Sequence, residues 1–394
     1  MPKRTHVVHL ITLLEMGGAQ GNTIFTVKHL DPNHYVAHLW AGRGAYFDKE
    51  VKVDLDLAGR LRFFPRLVRP IHPLFDLVAV IELWWALRKL KPKILHTHSS
   101  KAGIVGRLAG WLARVPIIIH TYHGFGFNEE QKPWTRWFFI LLEKGVAKLS
   151  TQLIFVSHSN METARQCKIG RDSQYVLIRS GVSLQSLRTR ASQTDRFAVK
   201  SSLQIPDDAH VILTVGPFKP QKNLSDFIQL GRELLNQQKN VHLLMIGDGE
   251  SRPMLEKMAK NLKMEQQVHM PGWRKDMPEI LSISDIFVLT SLWEGLPRAL
   301  VESMAMGIPA VCYETDGVTD LLSRGGGFLA KKKDREALTQ SVLTLLNDNA
   351  LRAKCSAQAK DLIGMEFEIN YMVRQQEALY AELLNRLPAS AAHP

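Results

Sequence analysis

The segment TSLWEGLPRALVESMAMGIPAV (290–311) decides the fold, because it predicts the end of one buried strand, a helix and the start of another strand. Pro297 suits the first turn of the helix, and Gly307 suits its C-terminal end. A strand, a crossover helix and a second strand form the repeating unit of a parallel α/β sheet.

Two acids lie within this segment, Glu294 and Glu302, eight positions apart. On one continuous helix they would point roughly 80° apart, so we place Glu294 on the strand-end loop and Glu302 inside the helix. The backbone amides of 296–299 would then lack helical acceptors and favour an anion such as a diphosphate. Glu302 could accept two hydrogen bonds from a vicinal diol such as a ribose; the alternative is an ordinary solvated helix residue.

The rest of the chain repeats this alternation of short apolar runs and longer amphipathic stretches such as 74–90 and 132–148. Near-continuous apolar strands with helical crossovers predict parallel sheets covered on both faces. The predicted strands are 5–14, 35–41, 93–98, 116–123 and 152–157 in the first half, and 210–216, 241–247, 267–270, 285–291 and 309–314 in the second.

The predicted fold class is therefore α/β, with two doubly wound Rossmann-like domains facing a central cleft. The N-terminal domain would span 1–185, a polar linker region 186–209 and the C-terminal domain 210–365, and a final helix in 366–394 would pack back on the first domain. Ligands of such sheets bind beyond the carboxyl ends of the strands, so we expect the site there.

Composition and charge narrow the class of protein and its partners. Three widely separated cysteines favour a reducing compartment without a disulfide framework. Residues 1–190 hold 27 Lys and Arg against 13 Asp and Glu, so an anionic partner is expected for this half of the chain. Zinc-finger spacing, RNA-binding aromatic signatures and basic heptads are absent, which argues against nucleic acid.

The apolar runs are too short to span a membrane, and we interpret the N-terminus as a strand and turn rather than a signal peptide.

In the first half, three strand-end loops carry candidate functional residues. Gly17 and Gly18 would let the backbone approach a ligand at a helix N-terminus, although a plain turn is the alternative. His123 ends a strand and could hydrogen-bond a sugar or phosphate, act as a general acid or base, or be structural. Ser99 and Ser100 suit a helix N-cap, and Lys101 could meet an anionic group.

The neighbouring histidines of HTHSSKAG (96–103) have a metal interpretation and a structural one. His96 and His98 share a strand face, but no third ligand is evident at metal spacing. We therefore expect core histidines that are hydrogen-bonded to the backbone.

In the second half, VGPFKPQKN (215–223) follows the first strand and places Lys219 and Lys222 on a strand-to-helix turn. Two lysines held at this position suit a diphosphate, while two solvated lysines are the alternative. IGDGE (246–250) ends the next strand, and a tight turn is the simpler interpretation of its acid.

Seven motifs, taken in their order along the chain, closely resemble those of retaining glycosyltransferases of GT-B architecture in family four. They are GGAQ, HTHSSKAG, HGF, VGPFKPQK, IGDGE, PGW and EGLPRALVESMAMGIPAV. The resemblance covers essentially the whole chain and is closest to the bacterial subgroup that builds surface polysaccharides and lipid-linked oligosaccharides. The chain departs from the family pattern at Pro217, where an arginine is usual, and we expect Lys219 to supply the missing cation.

The resemblance implies a role for each matched position. His123, Lys222 and Glu294 would be catalytic, with His123 on the donor sugar, Lys222 on the diphosphate and Glu294 on the sugar hydroxyls. The other donor-binding positions would be Gly17, Gly18, Gly216, Lys219, Gly247, Trp273, Arg274, Gly295, Leu296, Pro297, Arg298, Ala299 and Glu302. Trp273 and Arg274 would border the base, and Glu302 would hold the ribose.

The implied reaction moves a hexose or N-acetylhexosamine from a nucleotide sugar, by family habit a UDP sugar, to a polyprenyl-diphosphate-linked saccharide. It would retain anomeric configuration by front-face attack and need no metal or other cofactor. Two basic amphipathic stretches, 60–70 and 132–149, could rest on an anionic membrane, the first through Arg62, Arg66 and Arg69; for the second, a core-facing helix with a solvated face is the alternative. Ser99 and Lys101 are assigned to the same acceptor or membrane side. The enzyme would then be a cytoplasmic protein on the inner face of the cytoplasmic membrane.

Two other functions remain open on the same architecture. A nucleotide-sugar 2-epimerase would want additional acids for proton abstraction. A non-catalytic nucleotide-binding subunit of a polysaccharide assembly complex would not need His123, Lys222, Glu294 and Glu302 together. A nicotinamide dehydrogenase is disfavoured because the glycine fingerprint is absent.

Overall fold

The computed structural model describes residues 4–15, 17–43, 59–237 and 240–388. Contacts divide the chain into two compact units, Met1–Gly181 with Ile369–Pro394, and Val182–Glu368. Each unit is built on a parallel sheet with helices, which confirms the predicted α/β, doubly wound architecture.

The first unit holds a sheet of order β3-β2-β1-β4-β5-β6-β7 in the described residues, and its pairings are parallel. The strands are β1 (Thr5–Ile11), β2 (Tyr35–Gly42), β3 (Leu61–Phe64), β4 (Ile94–His98), β5 (Ile117–Tyr122), β6 (Gln152–Phe155) and β7 (Tyr175–Leu177). The helices are α1 (Gly18–His29), α2 (Pro73–Leu90), α3 (Ser100–Leu112), α4 (Pro133–Ala147), α5 (His158–Gln166) and the last helix of the chain, α15 (Ile369–Asn385).

Apolar side chains on alternate residues of the first sheet bury both of its faces. Val7 and Ile11 of β1 belong to one core with α1 and α15, whereas Val8 and Leu10 belong to a second core with α2 and α3. This two-sided burial explains why the strands are almost continuously apolar in the sequence.

The second unit holds a sheet of order β10-β9-β8-β11-β12-β13 in the described residues, again parallel. The strands are β8 (His210–Val215), β9 (Val241–Ile246), β10 (Val268–Gly272), β11 (Ile286–Leu289), β12 (Ala310–Tyr313) and β13 (Gly327–Ala330). The helices are α6 (Leu184–Ser192), α7 (Arg196–Ser202), α8 (Leu224–Gln237), α9 (Arg252–Asn261), α10 (Met277–Ser282), α11 (Arg298–Ala305), α12 (Asp316–Leu322), α13 (Arg335–Asn347) and α14 (Asn349–Leu362).

Three strands were missed from the sequence, and each has a physical reason. β3 carries an arginine among its four residues, β7 has only three residues, and β13 begins with a glycine. All three flank their sheets rather than lie at the centre, so they need less apolar sequence.

The stretch 186–209, expected to be a linker, contains most of α6 and all of α7 and belongs to the second unit. Leu184, Leu187 and Ala191 of α6 are buried, and α6 packs against α10. The polar residues that suggested a linker are the exposed faces of these helices.

Candidate active site

Lys222 lies at the carboxyl end of the second sheet, after β8 and on a short 3₁₀ turn, Pro220–Lys222. Its side chain passes close to Gly216, since a Cβ on Gly216 would lie 2.8 Å from Lys222 Cε and 3.2 Å from its Nζ. Gly216 also has φ +155° and touches the next strand end, where a Cβ on Gly247 would lie 1.9 Å from the Gly216 carbonyl oxygen. The two glycines therefore make room for the lysine and for each other.

The Lys222 ammonium forms an ion pair with Glu294, at 2.5 Å between Nζ and Oε1. Both side chains are largely buried, with 11% and 10% of their surface exposed. The structure thus brings together two of the three predicted catalytic residues, from the ends of β8 and β11.

Three hydrogen bonds to backbone carbonyl oxygens, two from side chains and one from a backbone amide, connect these two strand-end loops. The Thr290 hydroxyl donates to the Lys222 carbonyl oxygen at 2.7 Å, and the Gln221 side-chain amide donates to the Trp293 carbonyl oxygen at 2.6 Å. Leu292 N donates in turn to the Gln221 carbonyl oxygen at 2.9 Å. Gln221 and Thr290 were not singled out from the sequence, because only the folded loops show that they connect the lysine to the glutamate.

Helix α11 begins at the same edge, with Pro297 as its N-cap and Leu300 N as its first amide bonded to the Pro297 carbonyl oxygen. The amides of Arg298 and Ala299 therefore have no acceptor within the helix. Leu296 before them is buried, and Gly295 follows Glu294 directly. Of the amides predicted at 296–299, those of Arg298 and Ala299 are thus the free ones in the helix, and Pro297 contributes none because proline has no backbone N–H.

Glu302 lies one turn inside α11 and accepts a hydrogen bond from Arg298 Nη2 at 3.1 Å. Burial raises the pKa of Glu302, and the neighbouring Arg298 opposes that rise. The predicted ribose-binding carboxylate is thus largely buried, with 19% of its side chain exposed, and is paired with Arg298 rather than solvated on a free helix face.

Three buried polar atoms at this edge have no hydrogen-bond partner in the described part of the chain: Ser291 Oγ, Arg298 Nε and Thr315 Oγ1. Thr315 is the N-cap of α12, yet its side chain makes no capping bond. Buried polar atoms are nearly always satisfied in folded proteins, so these atoms mark an edge suited to a polar ligand. Ser291 and Thr315 were not predicted as site residues, although their positions at strand ends were a signal.

The predicted base-binding pair lies after β10. Gly247 N donates to the Gly272 carbonyl oxygen at 3.1 Å, which brings this loop beside β9. Trp273 is half-buried, and Arg274 donates twice to Asp276, at 2.8 and 2.6 Å. Lys219, the proposed substitute for the family arginine, is half-buried at the N-cap of the 3₁₀ turn.

In the first unit, Gly17 is the N-cap of α1 and Gly18 its first residue, as predicted. Ser99 is the N-cap residue of α3, but its hydroxyl contacts Thr12 at 2.7 Å instead of capping the helix. Thr12 Oγ1, directly after β1, accepts from Ala102 N at 3.1 Å and caps the helix in place of Ser99. The expectation of a Ser99 side-chain cap is therefore wrong, because the residue has φ +63° and its side chain is directed to β1's end.

The basic residues assigned to an acceptor or membrane have protein partners as well. Lys101 Nζ lies 2.6 Å from both carboxylate oxygens of Asp76. Arg66 pairs with Glu82, and Arg69 Nη2 lies 2.8 Å from Glu15. The Arg62 guanidinium lies 5.0 Å from the centre of the Phe64 ring.

His123, the third predicted catalytic residue, follows β5 by one position and lies beside other histidines. Its Nε2 is 3.2 Å from His98 Nδ1, and its Nδ1 is a buried atom without a hydrogen-bond partner among the residues described. Burial lowers the pKa of His123 to about 4, so the ring is neutral at pH 7.

His96 and His98 gain a third imidazole from β1, because His9 pairs with His96 in the sheet register. Nitrogen atoms of these three buried rings lie within 4.8 Å of one another, which is a candidate metal cluster that the sequence could not show. The hydrogen-bond partners of His96 are the side chains of Tyr380 and Thr121, rather than the backbone that we expected.

Comparisons with known proteins agree with this fold. Residues 3–181 match the model of the glycosyl transferase 4-like domain, and residues 195–362 match the model of glycosyl transferases group 1. A relative from Escherichia coli, UDP-Gal:alpha-D-GlcNAc-diphosphoundecaprenol alpha-1,3-galactosyltransferase, is 30% identical over 84% of this chain and 86% of its own length. The capsular polysaccharide biosynthesis glycosyltransferase CapM of Staphylococcus aureus is 23% identical over 80% of this chain and 83% of its own.

Solved structures share the architecture at low sequence identity. HepE of Anabaena in complex with UDP and glucose superposes with a TM-score of 0.80 at 18% identity, covering 96% of this chain and 100% of that one. Sucrose-phosphate synthase of Thermosynechococcus elongatus gives 0.77 at 17% identity, with 97% and 100% covered.

The fold and the matched models define a glycosyltransferase of GT-B architecture. The chain belongs to the group 1 glycosyltransferases, as its motifs predicted, and is a hexosyl- or N-acetylhexosaminyl-transferase. In the described residues, no helix has the length and apolar character needed to cross a bilayer.

Proposed function

We propose that the enzyme transfers a hexosyl or N-acetylhexosaminyl group from a UDP sugar to a hydroxyl of a polyprenyl-diphosphate-linked saccharide, with retention and without a metal ion. The acceptor is suggested by the undecaprenol-linked substrate in the name of the Escherichia coli relative. The nucleotide is suggested by that relative's UDP-galactose and by the UDP in the HepE complex.

One observation carries the proposal: the carboxyl edge of the second sheet gathers positive and donor groups that suit a diphosphate. Lys222 supplies a fixed charge, the first amides of α11 point to the N-terminal end of the helix, and Thr315 and Arg298 offer unpartnered buried atoms. Donors arranged before the reaction stabilise charge that develops on a leaving group, and here they would do so without a metal.

In the proposed reaction, the bond between the sugar C1 and the diphosphate oxygen breaks as the acceptor oxygen bonds C1 on the same face. The acceptor proton passes to the departing diphosphate. Lys222 and the amides of Arg298 and Ala299 would stabilise the leaving group, and Glu294 would hold sugar hydroxyls. Glu302 would hold the ribose, with Trp273 and Arg274 beside the base.

The test is a transfer assay with purified enzyme, a GlcNAc-diphospho-lipid acceptor and a panel of UDP sugars in EDTA. We expect one donor to give a glycosylated lipid whose new linkage has the donor's anomeric configuration by NMR. Loss of transfer in EDTA would disprove metal independence, and an inverted linkage would disprove retention. A 2-epimerised UDP sugar as the main product would identify an epimerase instead.

Two substitutions that each remove one hydroxyl group test diphosphate binding at the carboxyl edge of the second sheet. Neither breaks a hydrogen bond present in the described structure. Thr315→Val removes an unpartnered buried hydroxyl and should raise donor KM by roughly 2- to 10-fold, the equivalent of one neutral hydrogen bond. The control is Ser303→Ala in α11, whose hydroxyl is also buried and unpartnered among the described residues. Ser303 was not assigned to the donor, so its donor KM should not change; equal effects in both variants would contradict the proposal.

For the acceptor side, we propose that an anionic membrane surface docks on exposed aromatics of α2, α3 and α4. Trp85, Trp111, Trp134 and Trp137 are each more than half exposed, and α3 packs against both α2 and α4. Lys132, Arg136 and Lys144 lie in or beside α4. Exposed tryptophans among basic residues are typical of helices that lie in a lipid interface.

Sedimentation with vesicles containing anionic lipid tests this surface. Trp134→Ala with Trp137→Ala should reduce the bound fraction severalfold at low salt, because these rings contribute apolar area to the interface. Phe197→Ala, at a 65% exposed aromatic of the second unit, is the matched control. Equal binding by all three proteins, or equal binding to neutral vesicles, would refute the assignment.

A further inference from the structure

A run of buried hydrogen bonds leads from His123 into the core of the first unit. His123 Nε2 lies 3.2 Å from His98 Nδ1, and His98 Nε2 lies 3.1 Å from His9 Nδ1. His9 Nε2 lies 3.5 Å from the Tyr380 hydroxyl, which lies 2.5 Å from His96 Nδ1.

At the inner end of this run, both ring nitrogens of His96 have hydrogen-bond partners, because its Nε2 lies 2.7 Å from the Thr121 hydroxyl. At the other end, His123 has one ring nitrogen without a hydrogen bond, since its Nδ1 is buried and has no partner in the described ranges. The run therefore uses each ring nitrogen of the four histidines except Nδ1 of His123, the residue that the family resemblance assigns to the donor sugar.

The protonation states of these groups restrict how the bonds can point. Burial lowers the pKa of His9 to about 3 and those of His96 and His98 well below the ordinary value. Burial also raises the pKa of Tyr380, so the phenol keeps its proton. A neutral imidazole has one donor and one acceptor nitrogen, so an unbroken run must point all its donors in one direction.

The Tyr380 hydroxyl decides that direction. Its 2.5 Å contact with His96 Nδ1 is in the range of a strong O–H donor bond, whereas its 3.5 Å contact with His9 is long. The phenol proton therefore belongs in the bond to His96, and the phenol oxygen accepts from His9 Nε2–H. His9 Nδ1 then accepts from His98 Nε2–H, and His98 Nδ1 accepts from His123 Nε2–H.

We propose that His98, His9 and Tyr380 are positioning residues that hold His123 as its Nε2–H tautomer and present its Nδ1 lone pair to a hydroxyl of the substrate. The inference rests on the proposed function for the donor sugar that would carry that hydroxyl. The direction of the hydrogen bonds in the run is inferred only from contacts within the first unit.

The direct test is ¹⁵N NMR of the full chain labelled at histidine, above pH 6.5, with His123→Gln to assign the signal. We expect His123 to show the Nε2–H tautomer in the wild-type protein. Tyr380→Phe removes the hydroxyl that orders the run, so a mixture of His123 tautomers should appear. Tyr35→Phe is the matched control, because the Tyr35 ring lies 5.9 Å from the Tyr380 ring but its hydroxyl donates to the Glu377 carbonyl oxygen, which is outside the run.

The kinetic readout is transfer by the same variants. Tyr380→Phe should lower kcat with donor KM unchanged, by at least about 10-fold and at most about 10⁴-fold, the loss when a catalytic histidine is held in the wrong tautomer. Tyr35→Phe should retain wild-type kcat. If no donor supports transfer in any variant, the proposed function fails while the NMR result still decides the tautomer.

Two results would overturn the inference. One is an Nδ1–H tautomer of His123 in the wild-type protein, or a tautomer that Tyr380→Phe leaves unchanged. The other is a stoichiometric transition-metal ion in the purified protein that is lost in His9→Phe, since His9, His96 and His98 would then give their lone pairs to the ion.

Discussion

Lys222→Ala gives two separable consequences, because the lysine is both a buried ion-pair partner and a proposed diphosphate ligand. The variant leaves the Glu294 carboxylate, whose side chain is 10% exposed, without its cation at 2.5 Å. Removing one partner of a buried pair costs about 3–5 kcal/mol of folding stability. For a unit of this size, that loss corresponds to a fall of about 6–20 °C in melting temperature.

The double variant Lys222→Ala/Glu294→Ala removes both charges and distinguishes the two roles. Stability should recover by about 1–3 kcal/mol relative to the sum of the single variants, the coupling expected for residues in contact. Activity should not recover: turnover should remain about 10²-fold or more below wild type, the usual loss for one missing oxyanion donor.

The assays are differential scanning calorimetry for stability and initial rates of sugar transfer for activity. Equal melting temperatures for Lys222→Ala and the wild-type protein would refute the stabilising role of the ion pair, since the pair would then contribute nothing to folding. Full turnover in Lys222→Ala would refute the diphosphate role even if the stability result holds.

Two further predictions concern the glycines and the buried histidines. Gly247→Ala should destabilise the protein by about 2–5 kcal/mol, because φ is +141° and the new Cβ would lie 1.9 Å from the Gly216 carbonyl oxygen. Gly145→Ala, where a Cβ meets nothing within 4 Å, should instead stabilise helix α4 by up to about 1 kcal/mol in urea unfolding; the same sign in both variants would contradict the packing argument. The folded-state pKa values of His9 and His123, about 3 and about 4, lie below the ordinary 6.5, so unfolded chains bind more protons and stability is lost as pH falls below 6.5. The loss should reach about 2 kcal/mol per buried histidine at pH 5, and urea unfolding with equal stability at pH 7 and pH 5 would refute it.

The sequence predicted most of the fold because its central strands are buried on both faces. Runs such as HVILTVG and VHLLMIG need apolar residues at every position in a parallel sheet. The flanking strands Leu61–Phe64 and Gly327–Ala330 escaped detection because only part of their surface is buried. Helices α6 and α7 escaped because most of their residues are polar and exposed.

At the carboxyl edge of the second sheet, the sequence was enough to predict which loops form the candidate donor site. The reason is that the carboxyl ends of parallel strands lie on one side of a sheet. The strand-to-helix pattern placed Lys222 and Glu294 on that side, and their direct ion pair is a result of the fold. The partners that hold the loops, Gln221 and Thr290, could not be predicted, because hydrogen bonds between residues about seventy positions apart leave no local pattern.

The histidine run shows the same limit more clearly. His96 and His98 lie on one strand face and were visible as a pair, but His9 comes from β1 and Tyr380 from α15. Sequence spacing carries no information about contacts between elements so far apart in the chain. Only the sheet register and the packing of the last helix bring these side chains together.

The central claim is that the carboxyl edge of the second sheet binds the diphosphate of a nucleotide sugar through Lys222. Calorimetric titration of UDP and uridine into the wild-type protein and Lys222→Met tests it most directly. We expect UDP to bind the wild-type protein and to lose about 10- to 100-fold in affinity in the variant, the loss of one charged hydrogen bond, while uridine binds both equally. Equal UDP affinity for both proteins would contradict the claim.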